Sequence, residues 1–228
     1  MAHAAASMPT TTFDTRLAAT LALQVAEQIG KAILEERLHP GERIREVNLA
    51  KAFTVSRATV REALRILEQR GLVRIVPQRG ANVTQLSLTE LQNLFEIRSV
   101  LLGLSSRRAA IQFKPEQEPL LVDALAHLER SLSDADQYVA ASAAMIGLLL
   151  DLSGNQQLKE AVSSYAERMG RYVRRGLSEP QRREQSLAAW RELVAAIVAK
   201  DETAAEAIHR RLAEDNRAAS MALLAGHT

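Results

Sequence analysis

Cysteine is absent from all 228 residues. That excludes a disulfide framework, a thiolate metal site and a cysteine nucleophile. Aromatic side chains are scarce, with one Trp, three Tyr and four Phe, so the core must be aliphatic and is expected to be helix-built. No apolar run approaches the roughly 18 residues of a membrane span, and no Lys or Arg precedes Arg16, so the basic region of a signal peptide is missing. A Gly-rich phosphate loop, metal-ligand spacing and a His–carboxylate pair near a Ser are also lacking. An enzyme is therefore not expected, nor a membrane partner. Cytoplasmic localisation is expected.

What is present is 47% hydrophobic residues, enough for one or two packed domains. The net charge of +2 is spread unevenly. Residues 1–85 carry a net +4, the remainder a net −2, and 43–79 alone a net +6. A basic patch on one small domain is the footprint expected for a polyanion, although ordinary surface variation gives the same count.

The chain is organised around Val55-Ser56-Arg57-Ala58-Thr59-Val60-Arg61-Glu62-Ala63-Leu64-Arg65-Ile66-Leu67. Ser56 reads as a helix N-cap. Val60, Ala63, Leu64 and Leu67 share one stripe that can bury, while Arg57, Ala58, Arg61 and Arg65 fall largely on the other side. A basic helix of this kind with a small-residue start suits a major groove; a solvated basic helix is the plainer alternative.

The flanks extend the pattern. Residues 17–37 read as a first helix with Leu21, Val25, Ile29, Ala32 and Ile33 inward, ended by His39-Pro40-Gly41. Arg43-Ile44-Arg45 is a short extended segment, and 46–53 a second helix with Val47, Leu49, Ala50 and Phe53 available for burial. Gly71 stops the central helix. Residues 72–76 and 81–85 alternate like strands around Pro77-Gln78-Arg79-Gly80, a hairpin. Helix, helix, helix, hairpin is a winged helix-turn-helix, with Gly80 at the tip able to approach a groove closely. After Gln85 only helices follow, over about 87–112, 115–132, 136–152, 156–176, 180–200 and 201–224. The fold class is thus mainly α: a disordered tail at 1–16, a winged helix-turn-helix over 17–85, and an all-α antiparallel six-helix bundle over 86–228.

With these motifs in order, the N-terminal part resembles the DNA-binding domain of the GntR family of bacterial transcription regulators. The resemblance rests on Leu49-Ala50, the stretch from Val55 to Leu64, Leu67-Glu68, Gly71-Leu72-Val73 and Arg79-Gly80-Ala81-Asn82-Val83. The remainder resembles the FCD effector domain of the FadR-type subgroup, on Glu96-Ile97-Arg98, Leu152-Ser153-Gly154-Asn155, and Ala195 and Ile197 followed by Asp201. The resemblance implies a sequence-specific DNA-binding regulator, a repressor, controlled by a small-molecule effector that is an organic acid or an apolar metabolite. It would bind double-stranded DNA at a palindromic operator as a homodimer. An architectural DNA-binding protein with a filled helical domain is the competing reading. The implied DNA contacts are Ser56, Thr59, Arg57, Arg61, Arg79 and Gly80. Many relatives place an Arg before the Leu-Ala pair, where this chain has Val47 and Asn48; Arg45 is the nearby substitute.

Many FCD domains hold a divalent metal with one Asp and three His. Those positions fall here on Ser142, Ile146, Trp190 and Leu212. None is a suitable ligand, and His209 lies one turn before Leu212, so neither metal nor cofactor is expected. The effector is expected to meet Arg98, Tyr138, Ser142, Ile146 and Trp190. Arg98 would anchor a carboxylate through its guanidinium fork, or else pair with a surface neighbour such as Glu96. Tyr138, Tyr165 and Trp190 line a cavity or simply fill the core. Arg168, Arg171, Arg174 and Arg175 read as solvated surface first.

Overall fold

The computed structural model describes residues 20–77 and 80–225. The expected tail at 1–16, and Gln78 and Arg79, lie outside them. Thr20 opens α1 (Leu21–Leu34) by accepting from the Leu23 N–H at 3.2 Å. The helix ends three residues before the expected stop, because Glu36 takes the left-handed conformation at φ +57°. β1 (Arg43–Ile44) and α2 (Glu46–Phe53) follow, and Thr54 turns the chain at φ +55° into α3 (Arg57–Gln69). Ser56 caps α3 as expected, accepting from the Thr59 N–H at 3.1 Å. Gly71 reverses the chain at φ +73°, a conformation that costs an L side chain.

β2 (Val73–Val76) and β3 (Gly80–Val83) form the expected hairpin, in register Val73↔Val83 and Val76↔Gly80. The Arg43–Ile44 segment does more than extend. It pairs antiparallel with β3, so the sheet has order β1-β3-β2. Val25, Ile29 and Ile33 of α1 pack on Val60, Leu64 and Leu67 of α3, closed by Ile44, Leu72, Val73, Ala81 and Val83. Leu21 and Val47 belong to the expected stripes but are 54% and 44% exposed. Each lies in the first turn of its helix, where the amphipathic pattern outruns the packing partner.

The helical part starts with a capping box. Ser87 N–H donates to the Glu90 carboxylate at 2.9 Å, and Glu90 N–H donates to the Ser87 hydroxyl at 3.2 Å. Six helices follow among the described residues: α4 (Leu88–Gln112), α5 (Glu118–Arg130) after a 3-10 turn at Pro115–Gln117, α6 (Ala135–Leu152), α7 (Gln156–Gly176), α8 (Pro180–Val198) and α9 (Glu202–Ala225). α9 lies along α4, closely enough at Gly103 that an added Cβ would fall 2.5 Å from the Arg210 side chain. By length and composition α6 is apolar enough to cross a membrane. Tyr138, Ala141, Met145 and Leu149 are nevertheless packed with Leu121, Leu128, Trp190, Leu193 and Ile197 in the main core, so α6 is a core helix.

Arg183 holds the bundle's end together. It is 4% exposed, and its Nε donates to Leu132 O at 2.8 Å, while Nη1 donates to Leu177 O at 3.0 Å and Ser178 O at 2.6 Å. These carbonyls follow the C-termini of α5 and α7, so one guanidinium closes two helix ends. A hydrogen bond to a charged group contributes roughly 1.5–3 kcal/mol. Arg183→Met is expected to cost about 3 kcal/mol or more, read from the midpoint shift in urea denaturation.

Candidate nucleic-acid interface and a buried cationic cavity

Four arginines from three elements surround one shallow basin. Arg57 and Arg61 come from the first turns of α3, and Arg43 and Arg45 from β1 and the N-cap of α2, with Gly80 opposite at the start of β3. Ile44 is buried, so the residues on either side of it face outward together, by the two-residue period of a strand. Arg43 belongs to this group although only Arg45 was expected; the Arg-Ile-Arg alternation carried that signal. Glu46, in the first turn of α2, organises the group. Its Oε2 accepts from Arg61 Nε at 2.9 Å and lies 3.8 Å from Arg57 Nη2. No local sequence rule joins Glu46 to residues eleven and fifteen positions on. Ser56 and Thr59 hydroxyls lie 2.8 Å apart, so both expected contacts are partly committed to the cap. Arg79 lies outside the described residues.

The second site is inside the helical bundle. Ser142, Ile146, Trp190 and Leu212, placed by sequence at one set of family positions, do converge on one narrow cavity of about 30 Å³, together with Arg98, Arg182 and Asn216. A neutral hydroxyl, an indole N–H and two aliphatic side chains beside two guanidinium groups do not fit a divalent cation. The cavity instead collects unmet polar atoms. Among the described residues, Ser142 Oγ, Trp190 Nε1, Arg182 Nε and Asn216 Oδ1 are buried without a hydrogen-bond partner, and no Asp or Glu lines the space.

Arg98 is the centre of it. No ion pair or hydrogen bond to its side chain exists among the described residues, so pairing with Glu96 is not what the fold uses. It is half-buried and lines the cavity, and desolvation pushes its pKa down to about 10, which leaves it a cation at neutral pH. A second, wider slot of about 210 Å³ shares Arg98, Ser142, Ile146 and Val173 and runs between α6 and α7.

Two expected cavity residues are elsewhere. Tyr138, one turn before Ser142, is wholly buried in the main core against α5 and α8, and burial pushes its phenol up to about 12. Tyr165 packs beside Leu91, Phe95 and Met169. The arginines of α7 also differ from the expected solvated run. Arg171 is 3% exposed, with its guanidinium 5.7 Å from the Tyr172 ring centre, Arg174 pairs with Asp136, and Arg175 Nε donates to Glu36 at 3.0 Å. α7 thereby joins the two halves. Arg70 at the end of α3 pairs with Glu167 and, at 2.9 Å, with Glu27; Arg168 packs over Gly71; and Leu86 N–H donates to Tyr172 Oη at 3.2 Å.

Comparison with known proteins follows this division. Residues 21–83 match the family model described as bacterial regulatory proteins, gntR family, and residues 93–215 match the FCD domain model. An uncharacterized HTH-type transcriptional regulator of Bacillus subtilis, YdhC, is 31% identical over 140 residues, 60% of this chain and 62% of that protein. The Nta operon transcriptional regulator of Aminobacter aminovorans is 35% identical over 138 residues, 57% of this chain and 62% of its own. The match thus spans under two thirds of each relative's length. Among solved structures, Escherichia coli McbR/YncC superimposes with a TM-score of 0.76 at 22% identity, covering 90% of this chain and 99% of that one. A GntR regulator from Rhodococcus gives 0.73 at 22% identity, covering 88% and 97%.

His209 supplies a test of the buried surroundings. It is 0% exposed, its Nδ1 is 2.5 Å from Ser106 Oγ, and its ring stands edge-on to Trp190 at 5.2 Å. Burial, and then the Arg98 charge, hold its pKa down at about 3. The unfolded chain takes up this proton below about pH 6.5 while the folded chain does not, so stability falls as pH drops from there towards 3. Urea midpoints measured between pH 7 and 4 should show a shallower decline for His209→Gln than for the parent chain.

Proposed function

Because the chain belongs to the gntR family of bacterial regulatory proteins and carries an FCD domain, we propose that it is a cytoplasmic repressor that binds a palindromic operator as a homodimer and responds to an acidic small molecule. The arginine basin at the start of α3 carries the DNA half of this reading. Arg57 and Arg61 suit bidentate contact with guanine O6 and N7, and Arg43 and Arg45 suit phosphates on either side. Glu46 presets both readers on one side and must share them with the bases on binding. Homodimerisation is supported by an outward stripe on α4, where Ile97, Val100, Leu104 and Ile111 are 39–50% exposed at helical spacing.

The effector half rests on one observation: a guanidinium, Arg98, enclosed without a counter-ion in a cavity with no acidic lining. A half-buried charge left unpaired is partly desolvated at a cost, and a ligand carboxylate would relieve that cost. Its arrival has a route to the DNA. α7 lines the slot with Val162, Ala166, Gly170 and Val173, and its other face grips α1 and α3. At Gly170 the two faces are one backbone apart, since an added Cβ would lie 3.0 Å from Leu34 of α1. A carboxylate that shifts α7 shifts the arginine basin with it.

Operator binding followed by fluorescence anisotropy should lose about 1–3 kcal/mol with Arg57→Ala or with Arg61→Ala, and should weaken steeply with added salt. Absence of sequence preference in a genome-wide binding assay, or indifference to both substitutions, would refute the DNA reading. For the effector, Arg98→Gln should abolish carboxylate binding. Glu167→Gln should retain both carboxylate and operator binding but reduce the effect of one on the other. If coupling survives Glu167→Gln at full strength, α7 is not the route.

A further inference from the structure

The slot between α6 and α7 has a composition of its own. Where two helices would ordinarily interdigitate, α6 presents Ala143 and Gly147 and α7 presents Ser163, Ala166 and Gly170. Small residues alone only leave space. Here the space leads inward to Ser142, which is 7% exposed and has an unpartnered hydroxyl, and to Arg98 behind it. Ala143, Ser163 and Ala166 are exposed at the outer end, so the slot opens to solvent. Its walls are Val139, Ile146, Leu150, Val162 and Val173. Among the described residues, the polar lining consists of Arg98 and Ser142 at the inner end and Ser163 near the mouth.

We infer that the effector is an amphipathic monocarboxylic acid: its carboxylate occupies the narrow cavity at Arg98 and its apolar tail fills the α6–α7 slot. This rests on the Arg98 reading above and narrows it to one ligand class. The narrow cavity, at about 30 Å³, has room for only two or three water-sized centres, on the basis of roughly 10–15 Å³ each. It accepts a carboxylate and little else. The slot, at about 210 Å³, exceeds the roughly 150 Å³ cavity known to accept a benzene ring. A tail of six or so carbons, or one ring, is the matching size. A polyhydroxy or tricarboxylic acid would carry its extra polar groups against apolar walls, at about tenfold in affinity for each group left unpaired. An apolar ligand without an acid would leave the Arg98 charge unanswered.

The chain reports on its own occupancy, since Trp190 is the only tryptophan and lines the narrow cavity. The full chain is titrated with acetate, butanoate, hexanoate, phenylacetate, citrate and gluconate while Trp190 fluorescence is followed, with calorimetry as a second readout. Affinity should rise about fourfold per methylene from acetate to hexanoate. Phenylacetate should bind comparably to hexanoate, and citrate and gluconate at least a hundredfold more weakly. Gly147→Leu places the discriminating change. A Cβ there meets no atom within 4 Å, and leucine favours a helix more than glycine does. The variant should keep or raise the thermal midpoint, keep acetate affinity, and lose at least tenfold in hexanoate affinity. Ala143→Leu at the mouth is the second blocking variant and should act alike. Hexanoate binding no tighter than acetate, citrate binding best, or indifference of hexanoate to both variants would overturn the slot assignment while leaving Arg98 as an anion site. Failure of every carboxylate to bind, or binding that survives Arg98→Gln, would instead bring down the Arg98 reading itself.

Discussion

The two halves of this protein meet through one helix. Glu167, Arg168 and Arg175 of α7 hold the ends of α3 and α1 through Arg70, Gly71 and Glu36. Two helix C-termini thus end against one mixed-charge face of α7, with Glu167 taking Arg70 and Arg175 taking Glu36. The opposite side of the same helix walls the slot beside Arg98. Everything proposed for ligand control depends on that double role. Exposed ion pairs alone contribute little, about 0–1 kcal/mol each. These are half-buried and combine with Leu34 resting on Gly170, which makes the junction a packed surface rather than a tether.

Three arginines in the helical domain, Arg171 and Arg183 buried and Arg98 half-buried, show how partners decide role. Arg183 donates to three backbone carbonyls and serves the fold. Arg171 lies against the Tyr172 ring beside Glu36, with one Nη unpartnered, at the junction of the two halves. Arg98 has cavity in front of it and no carboxylate along the lining. Desolvation of a charge costs several kcal/mol unless something answers it. Arg183 is answered by the chain itself. Arg98 has no such partner among the described residues and faces the cavity shared with Ser142 and Trp190.

The positions to which the resemblance assigns one carboxylate and three imidazoles are Ser142, Ile146, Trp190 and Leu212, and the fold brings those four together. A hydroxyl, an indole and two aliphatic side chains beside the Arg98 and Arg182 guanidinium groups suit a cation poorly. His209 follows the same logic: it is buried against Trp190 and Ser106 and held neutral, a core side chain one turn from the cavity.

Sequence by itself determined the element order, because period 3.6 and period 2 are local properties. It also marked Ser56, Gly71 and Ser87 as boundaries, because caps and turns depend on one side chain and its nearest backbone. Arg57 and Arg61 were legible as one face of one helix. What lay between elements was not. That Glu46 holds both of those arginines, that Arg43 joins them through a third strand, and that Arg171 is buried rather than solvated all depend on contacts across gaps in sequence. The same holds for Tyr138 and Ser142, one turn apart on α6, of which one fills the core and the other opens onto the cavity. A helical period says which face a residue takes. Only the neighbouring helix decides whether that face meets a side chain or an empty slot.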